Sequence, residues 1–258
     1  MKIRKGYDKN KTYFEFTKKT GVCNVFIHGV GLNNTMWHPQ KEFFKNKKTI
    51  YYDILNHGKT NTNFKELKFE HFSKQLLDLL EYLDIKKINL IGFSLGSLIA
   101  QHFASKYFKK INKLIILGSV YKRSTSQIIK VKKRYKLTLN GKSISHDSIN
   151  RWFNKNYLKK NKHVYSFFLN ILEKKNNKKF LPAYKLFVES DNYDINFNNL
   201  KMKTLIATGE KEIGSTPAMS RKINKKISKS KIFIIPNAKH MASYEKSEIV
   251  NKLISNFI

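Results

Sequence analysis

A single cysteine, Cys23, stands in 258 residues, which excludes an internal disulfide and a cysteine-built zinc cluster. No stretch reaches the ~18 uninterrupted apolar residues of a membrane-spanning helix, so no span is expected. The opening MKIRKGYDKN is basic but leads into no apolar run, so a cleaved signal peptide is not expected either. No internal repeat and no Pro/Gly/Ser-rich linker is visible. Acidic residues are few, 18 against 51 Lys+Arg, for a formal charge of +33. Arginine is scarcer still: Arg4, Arg123, Arg134, Arg151 and Arg221 are the whole set, and every other basic residue is lysine.

That shortage of arginine shapes what the charge implies. A phosphate-reading surface leans on the bidentate guanidinium fork, and no nucleic-acid motif accompanies the lysines. Lysine, asparagine and isoleucine share A/T-rich codons, so compositional bias explains their joint abundance. Weak attraction to polyanions follows from the charge alone; a specific nucleic-acid partner does not. Hydrophobic content of 41% and aromatic content of 13% are too high for a disordered polybasic chain. A soluble, cytoplasmic globular protein with one sizeable core is the expectation.

Short apolar runs of strand length recur along the chain. Tyr13–Phe16 alternates as a half-buried edge strand does. Val22–Ile27, Thr49–Tyr52, Ile88–Phe93, Lys113–Leu117, Thr204–Thr208 and Ile232–Ile235 are nearly continuous in apolar residues, as strands of a parallel sheet covered on both faces are. Helical spacing separates them, as in Phe72, Leu76, Leu79, Leu80 and Leu83, and again in Ile249, Leu253, Ile254 and Phe257. The pattern predicts an α/β fold with a doubly wound, mostly parallel sheet. From 121 to 199 no strand-like run occurs. Helical stretches at 128–139, 148–158, 164–172 and 181–189 fill it instead, a segment too long for an ordinary connection and suited to a cap. The expected organisation is a core of residues 1–120 and 200–258 with a helical cap, or lid, inserted at 121–199.

The strongest chemical signal is Gly92-Phe93-Ser94-Leu95-Gly96, a G-x-S-x-G turn with a strand before it and a helix after it. Such a turn presents a serine hydroxyl at the carboxyl edge of the sheet, above a helix N-terminus that favours developing negative charge. Upstream, strand 22–27 runs into His28-Gly29-Val30-Gly31. A glycine-lined turn there can aim the Val30 N–H at a carbonyl oxygen, and with the Leu95 N–H it would form an oxyanion hole.

A serine nucleophile needs a base, and the base an orienting carboxylate. His240 follows the last strand, in Pro236-Asn237-Ala238-Lys239-His240, where such sheets build their sites. His28 belongs to the oxyanion turn, His57 reads as a turn residue, and His102 lies on an apolar helix stripe. His38, His71, His146 and His163 have no motif context. No pair of histidines has metal-ligand spacing with carboxylates nearby, so no metal site is expected. The acid should follow the penultimate strand, where Gly209-Glu210-Lys211-Glu212 stands. Glu212 is preferred and Glu210 is the fallback. After strand 113–117 the next acidic residue is Asp147, so the other common location is empty.

Together with Asp53, His57-Gly58-Lys59 and Pro217, these residues resemble the α/β-hydrolase superfamily from about residue 10 to the end. The resemblance implies a Ser94–Glu212–His240 triad, Val30 and Leu95 as oxyanion donors, and a helical cap. The superfamily more often shows aspartate where Glu212 stands, and often a third small residue where Ser97 stands. Arg151-Trp152-Phe153, Met36-Trp37 with Pro39-Gln40, and the spacing of Tyr184 and Asp191 look like features of 3-oxoadipate enol-lactonases and related carboxylesterases. Arg151 and Trp152 are accordingly candidate substrate-pocket residues, although Trp152 fits a cap core equally well. A serine nucleophile separates the chain from the dehalogenase and epoxide-hydrolase branches, which use aspartate.

The expected activity is a cofactor-independent serine esterase or lactonase acting on a small molecule through an acyl-enzyme. Two alternatives stay open. One is an esterase for acyl groups carried by an acidic protein; the other is a hydrolase-fold ligand sensor with negligible turnover.

Overall fold

The computed structural model describes residues 3–173 and 177–258; Met1, Lys2 and residues 174–176, within the expected core and cap ranges, lie outside them. Eight strands form one sheet: β1 (Arg4–Tyr7), β2 (Tyr13–Thr17), β3 (Cys23–Ile27), β4 (Thr49–Tyr52), β5 (Ile88–Phe93), β6 (Ile111–Leu117), β7 (Lys203–Gly209) and β8 (Ser230–Ile235). Their spatial order is β1-β2-β4-β3-β5-β6-β7-β8. The first two pairings, β1·β2 and β2·β4, are antiparallel, and the rest are parallel. This is the α/β-hydrolase fold.

Burial explains the order. All residues of β3, β4 and β5 are buried, and each fully buried Ile, Leu or Phe stabilises the fold by about 1.5–3 kcal/mol. The edges are the strands that can face water. Three of the four residues of β1 are exposed, and β8 alternates exposed with partly buried positions. Arg4, Lys5 and Lys231 on these edges discourage pairing with another chain.

The strand pattern corrects the sequence reading at five strands. β2, expected as a half-buried edge strand, is wholly buried and lies between β1 and β4. β1 is an additional strand, missed because RKGY carries no apolar signal. β6 and β8 each begin two residues before the expected start. Val22 is exposed and lies outside β3.

The sheet is flanked by α1 (His38–Phe43), α2 (Phe69–Tyr82), α3 (Leu95–Lys106), α9 (Pro217–Lys226), α10 (Ala242–Glu245) and α11 (Ser247–Phe257). Between β6 and β7 stand α4 (Thr125–Leu139), α5 (Ser145–Trp152), α6 (Lys155–Lys160), α7 (Lys162–Glu173) and α8 (Asn177–Val188), and no described residue from 121 to 199 is in a strand. A capping box starts α4: the Ser124 hydroxyl accepts the Gln127 N–H, and the Gln127 side chain accepts the Ser124 N–H. The stretch expected as one helix over 148–158 is two. Phe153 is extended at the end of α5 (φ −121°, ψ 154°) and fully buried. It packs against Phe168 of α7, with ring centroids 5.1 Å apart. Burying that ring outweighs helical continuity. α4 packs against α8 and α5 against α7. No helix among the described residues is long and apolar enough to cross a membrane.

Because β3, β5, β6, β7 and β8 run parallel, the loops that follow them converge on one edge of the sheet. That edge is where an open α/β sheet builds a site.

Candidate active site

The turn after β5 is sharp enough to require its glycines. A Cβ on Gly92 would lie 2.2 Å from the Gly96 carbonyl oxygen, and one on Gly96 would lie 2.3 Å from the Ile27 carbonyl oxygen. No side chain fits at either place. Between them Ser94 adopts φ 55°, ψ −118°, a strained conformation for a residue with a Cβ. Its N–H donates to the Leu117 carbonyl at 2.9 Å, and its carbonyl accepts from Ser97 N–H at 2.9 Å, fixing the turn on both sides. The Ser97 hydroxyl donates to the same carbonyl. A small residue at 97 therefore has a stated task here. α3 begins at Leu95, directly after the serine.

The His28–Gly31 turn faces it. His28 is fully buried, its ring Nδ1 2.8 Å from the Gly29 carbonyl and its Nε2 accepting the Ile54 N–H at 3.1 Å. Those contacts assign the proton to Nδ1. Burial pushes its pKa down to about 4, against the opposing pull of the Gly29 carbonyl, so the ring is neutral near neutral pH. The 3.9 Å approach of Asp53 is too long for a hydrogen bond. Asp53 instead accepts from the Asn34 and Lys59 backbone N–H groups. His57 Nε2 accepts the Gly31 N–H at 2.9 Å. His57 is thus a turn residue, as expected, and the turn it braces includes the oxyanion candidate. The N–H groups of Val30 and Leu95 have no hydrogen-bond partner among the described residues, which leaves both able to receive an oxygen.

His240 and Glu212 meet at 2.7 Å, Nδ1 to Oε2. Glu212 is buried, and its Oε1 accepts the Gly214 and Ser215 N–H groups. Burial works to raise the carboxyl pKa, but the His240 ring, then Arg151 and the Gly214 N–H, outweigh it and hold it down at about 2. An ionised carboxylate can only accept, so it fixes the His240 proton on Nδ1 and leaves Nε2 as the basic nitrogen. The Ser215 hydroxyl also approaches Nδ1, at 3.4 Å. Glu210 is exposed and accepts the Asn237 N–H, away from the histidine. Asp147 is exposed on α5.

A cavity of about 380 Å³ opens over these groups, with Ser94, His240, Val30, Trp152 and Arg151 in its wall. Its size is that of a small-molecule site. Trp152 lines the cavity and also packs on Phe168, centroids 6.4 Å apart. Phe93 lies against the His240 ring, centroids 4.8 Å apart. The wall also holds Arg123, Lys130 and Arg134, which sequence reasoning missed because basic residues on a lysine-rich helix look like a solvated face. No group of three or more His, Cys, Asp and Glu among the described residues is placed to hold a metal ion.

A family model described as alpha/beta hydrolase fold matches residues 25–247. The chain belongs to that family. Its curated relatives include the (E)-2-((N-methylformamido)methylene)succinate hydrolase of Acinetobacter baylyi, 25% identical over 96% of this chain and 95% of the relative. Another is the pimeloyl-[acyl-carrier protein] methyl ester esterase of Wigglesworthia glossinidia brevipalpis, 28% identical over 96% of this chain and 98% of the relative. Among solved structures, the enol-lactonase from Burkholderia xenovorans LB400 superposes with a TM-score of 0.80 at 18% identity, covering 96% of this chain and 97% of that one. This α/β-hydrolase is a hydrolase of the family's fold.

Proposed function

We propose that this α/β-hydrolase cleaves a carboxylic ester or lactone through an acyl-enzyme formed on Ser94. The observation that carries the reading is the Glu212–His240 contact at 2.7 Å, set on the same cavity as the strained Ser94 turn. His240 Nε2 takes the Ser94 hydroxyl proton as Oγ attacks the carbonyl carbon. The Val30 and Leu95 N–H groups hold the resulting oxyanion, each such donor contributing ~2.7–4 kcal/mol to the transition state. The imidazolium then protonates the departing alkoxide or enolate. Water, deprotonated by the same nitrogen, releases the acid and frees Ser94. Residues 121–199 act as the cap that closes the pocket over the substrate.

Ser94→Ala should retain the fold by circular dichroism, lose p-nitrophenyl ester hydrolysis by roughly 10⁴–10⁶-fold, and lose covalent labelling by a fluorophosphonate. Unchanged turnover in that variant overturns the reading, and a wild-type serine that does not label favours a ligand sensor. Exposed Lys132, Lys133 and Lys136 on α4, beside the cavity-lining Lys130, favour a second reading, an ester carried on an acidic protein. That version requires salt-sensitive turnover of the carrier-bound ester and salt-insensitive turnover of a small one.

A further inference from the structure

The Ser94 cavity has a neighbour. A second cavity, of about 580 Å³, lies between α7 and α8 on one side and the loops that follow β3 and β4 on the other. Among the described residues the two cavities share three wall positions, Gly31, Leu32 and Phe180. Glycine brings no side chain, so Leu32 and Phe180 are the side chains between the two spaces. Leu32 belongs to the turn that carries the Val30 N–H, and its own N–H donates to the Gly29 carbonyl at 3.3 Å. Phe180 reaches the partition from α8.

The Phe180 ring is buried and held on two sides. It stacks on Tyr184, one turn further along α8, with centroids 5.8 Å apart. It meets the His57 ring edge-on at 6.2 Å. With Val131, Tyr184 and Val188 it forms the apolar cluster where α4 packs on α8. Beyond the ring, the Asn34, Asn56 and Thr60 side chains of the second cavity are already engaged. Asn34 Nδ2 donates to Asp53 and its Oδ1 accepts from Lys41. The Asn56 amide is bonded at both ends to the Phe64 backbone, and the Thr60 hydroxyl donates to the Asp53 carbonyl. Such groups call for no charged ligand, and an apolar chain beside them orphans none of them. Phe167 and Ile171 give the same space an apolar side.

We propose that Phe180 sets the length of substrate this site accepts: its ring ends the Ser94 cavity, and the second cavity is an extension closed off behind it. In the wild type the chain that reaches from the scissile carbonyl toward α8 is short. A residue with less bulk at 180 joins the two spaces and admits a longer chain. The inference rests on the ester-hydrolase reading for its kinetic test but not for its binding test, so the two can fail separately.

The kinetic arm takes the ratio of kcat/KM for p-nitrophenyl octanoate to that for p-nitrophenyl butyrate, in which a general loss of activity cancels. Wild type should favour the butyrate. Each methylene newly buried is worth about fourfold, so Phe180→Ala should raise the ratio about 15–60-fold as two or three methylenes pass the partition. Phe180→Leu, which keeps more of the α4–α8 packing, should raise it less, and it carries the test if the alanine variant does not fold. Phe187→Ala removes the same ring from the Ser94 cavity at a position that does not line the second one, and should move the ratio by less than about fourfold. An equal rise in Phe187→Ala reduces the effect to cavity volume and overturns the partition. A wild type that favours the octanoate does so too, as does an unchanged ratio in the folded Phe180 variants. The binding arm uses calorimetry of octanamide and butyramide with Ser94→Ala, which needs no turnover. Adding Phe180→Ala should tighten octanamide by about tenfold or more and leave butyramide as it was; equal changes in both overturn the partition. If octanamide gains affinity in this way but Ser94 never labels with a fluorophosphonate, the partition stands and the hydrolase reading falls. If Ser94 labels and neither ratio nor affinity responds to Phe180, the reverse holds.

Discussion

His57 Nε2 stands 2.9 Å from the Gly31 nitrogen, while its Nδ1 lies 2.8 Å from the Leu55 carbonyl. An imidazole from the loop after β4 therefore braces the turn after β3, and both contacts are buried. His57→Phe keeps a ring but removes the acceptor, leaving a buried N–H unsatisfied at a cost of about 1–3 kcal/mol. Urea unfolding should show that loss, and ester kcat/KM should fall about tenfold as the Val30 N–H shifts. Wild-type stability together with wild-type rate in this variant would show that the brace is dispensable.

Glu212 gives the site a pH signature. Its carboxyl is held down at about 2, below the usual value of 4.5. A depressed carboxyl stabilises the fold above its unfolded pKa, and the stabilisation is lost as pH falls through the folded one. Between pH 4.5 and 2 the wild type should lose roughly 3 kcal/mol more than Glu212→Gln does, read from denaturant midpoints across that range. The same variant should lower kcat about 10⁴-fold, because an amide can fix the wrong tautomer of His240. Parallel stability curves for the two proteins would contradict the assignment.

Arg123 and Asp191 close the segment 121–199 at its two ends, with Nε and Oδ2 2.6 Å apart and the Arg123 N–H on the same carboxylate at 3.2 Å. Asp191→Ala strands an enclosed guanidinium and should destabilise by about 3–5 kcal/mol. The double change Arg123→Met/Asp191→Leu removes both charges and should be milder. A double-mutant cycle on thermal or urea midpoints checks this, and additive single effects would refute the pairing.

How much the residues disclosed in advance depended on whether a signal was local. β3, β5 and β7 were visible because a strand buried on both faces must be apolar throughout. β1 was invisible because an exposed edge strand needs no apolar residue, and RKGY has nearly none. Ser94, His240 and Glu212 could be named as candidates because a tight turn and two strand ends mark each one by spacing along the chain. The break at Phe153 could not, since periodicity records which side a residue faces and not where the backbone leaves the helix. Arg134 was hidden for a related reason. Only the packing of α4 on α8 turns two basic residues of a polar helix, Lys130 and Arg134, into cavity wall.

Several contacts stitch the end of α5 and its exit to the loop that carries His240 and to α10 just after it. Met241 N–H donates to the Trp152 carbonyl at 3.0 Å, Asn154 Nδ2 to the Asn237 carbonyl at 2.7 Å and to Glu245, and Lys239 Nζ to the Asn150 carbonyl at 3.2 Å. They are seams, not packing, and they fall within a few residues of the imidazole on either side. α5 cannot lift from the sheet as a free flap. Lifting it breaks these bonds, and while they hold the His240 loop moves with α5.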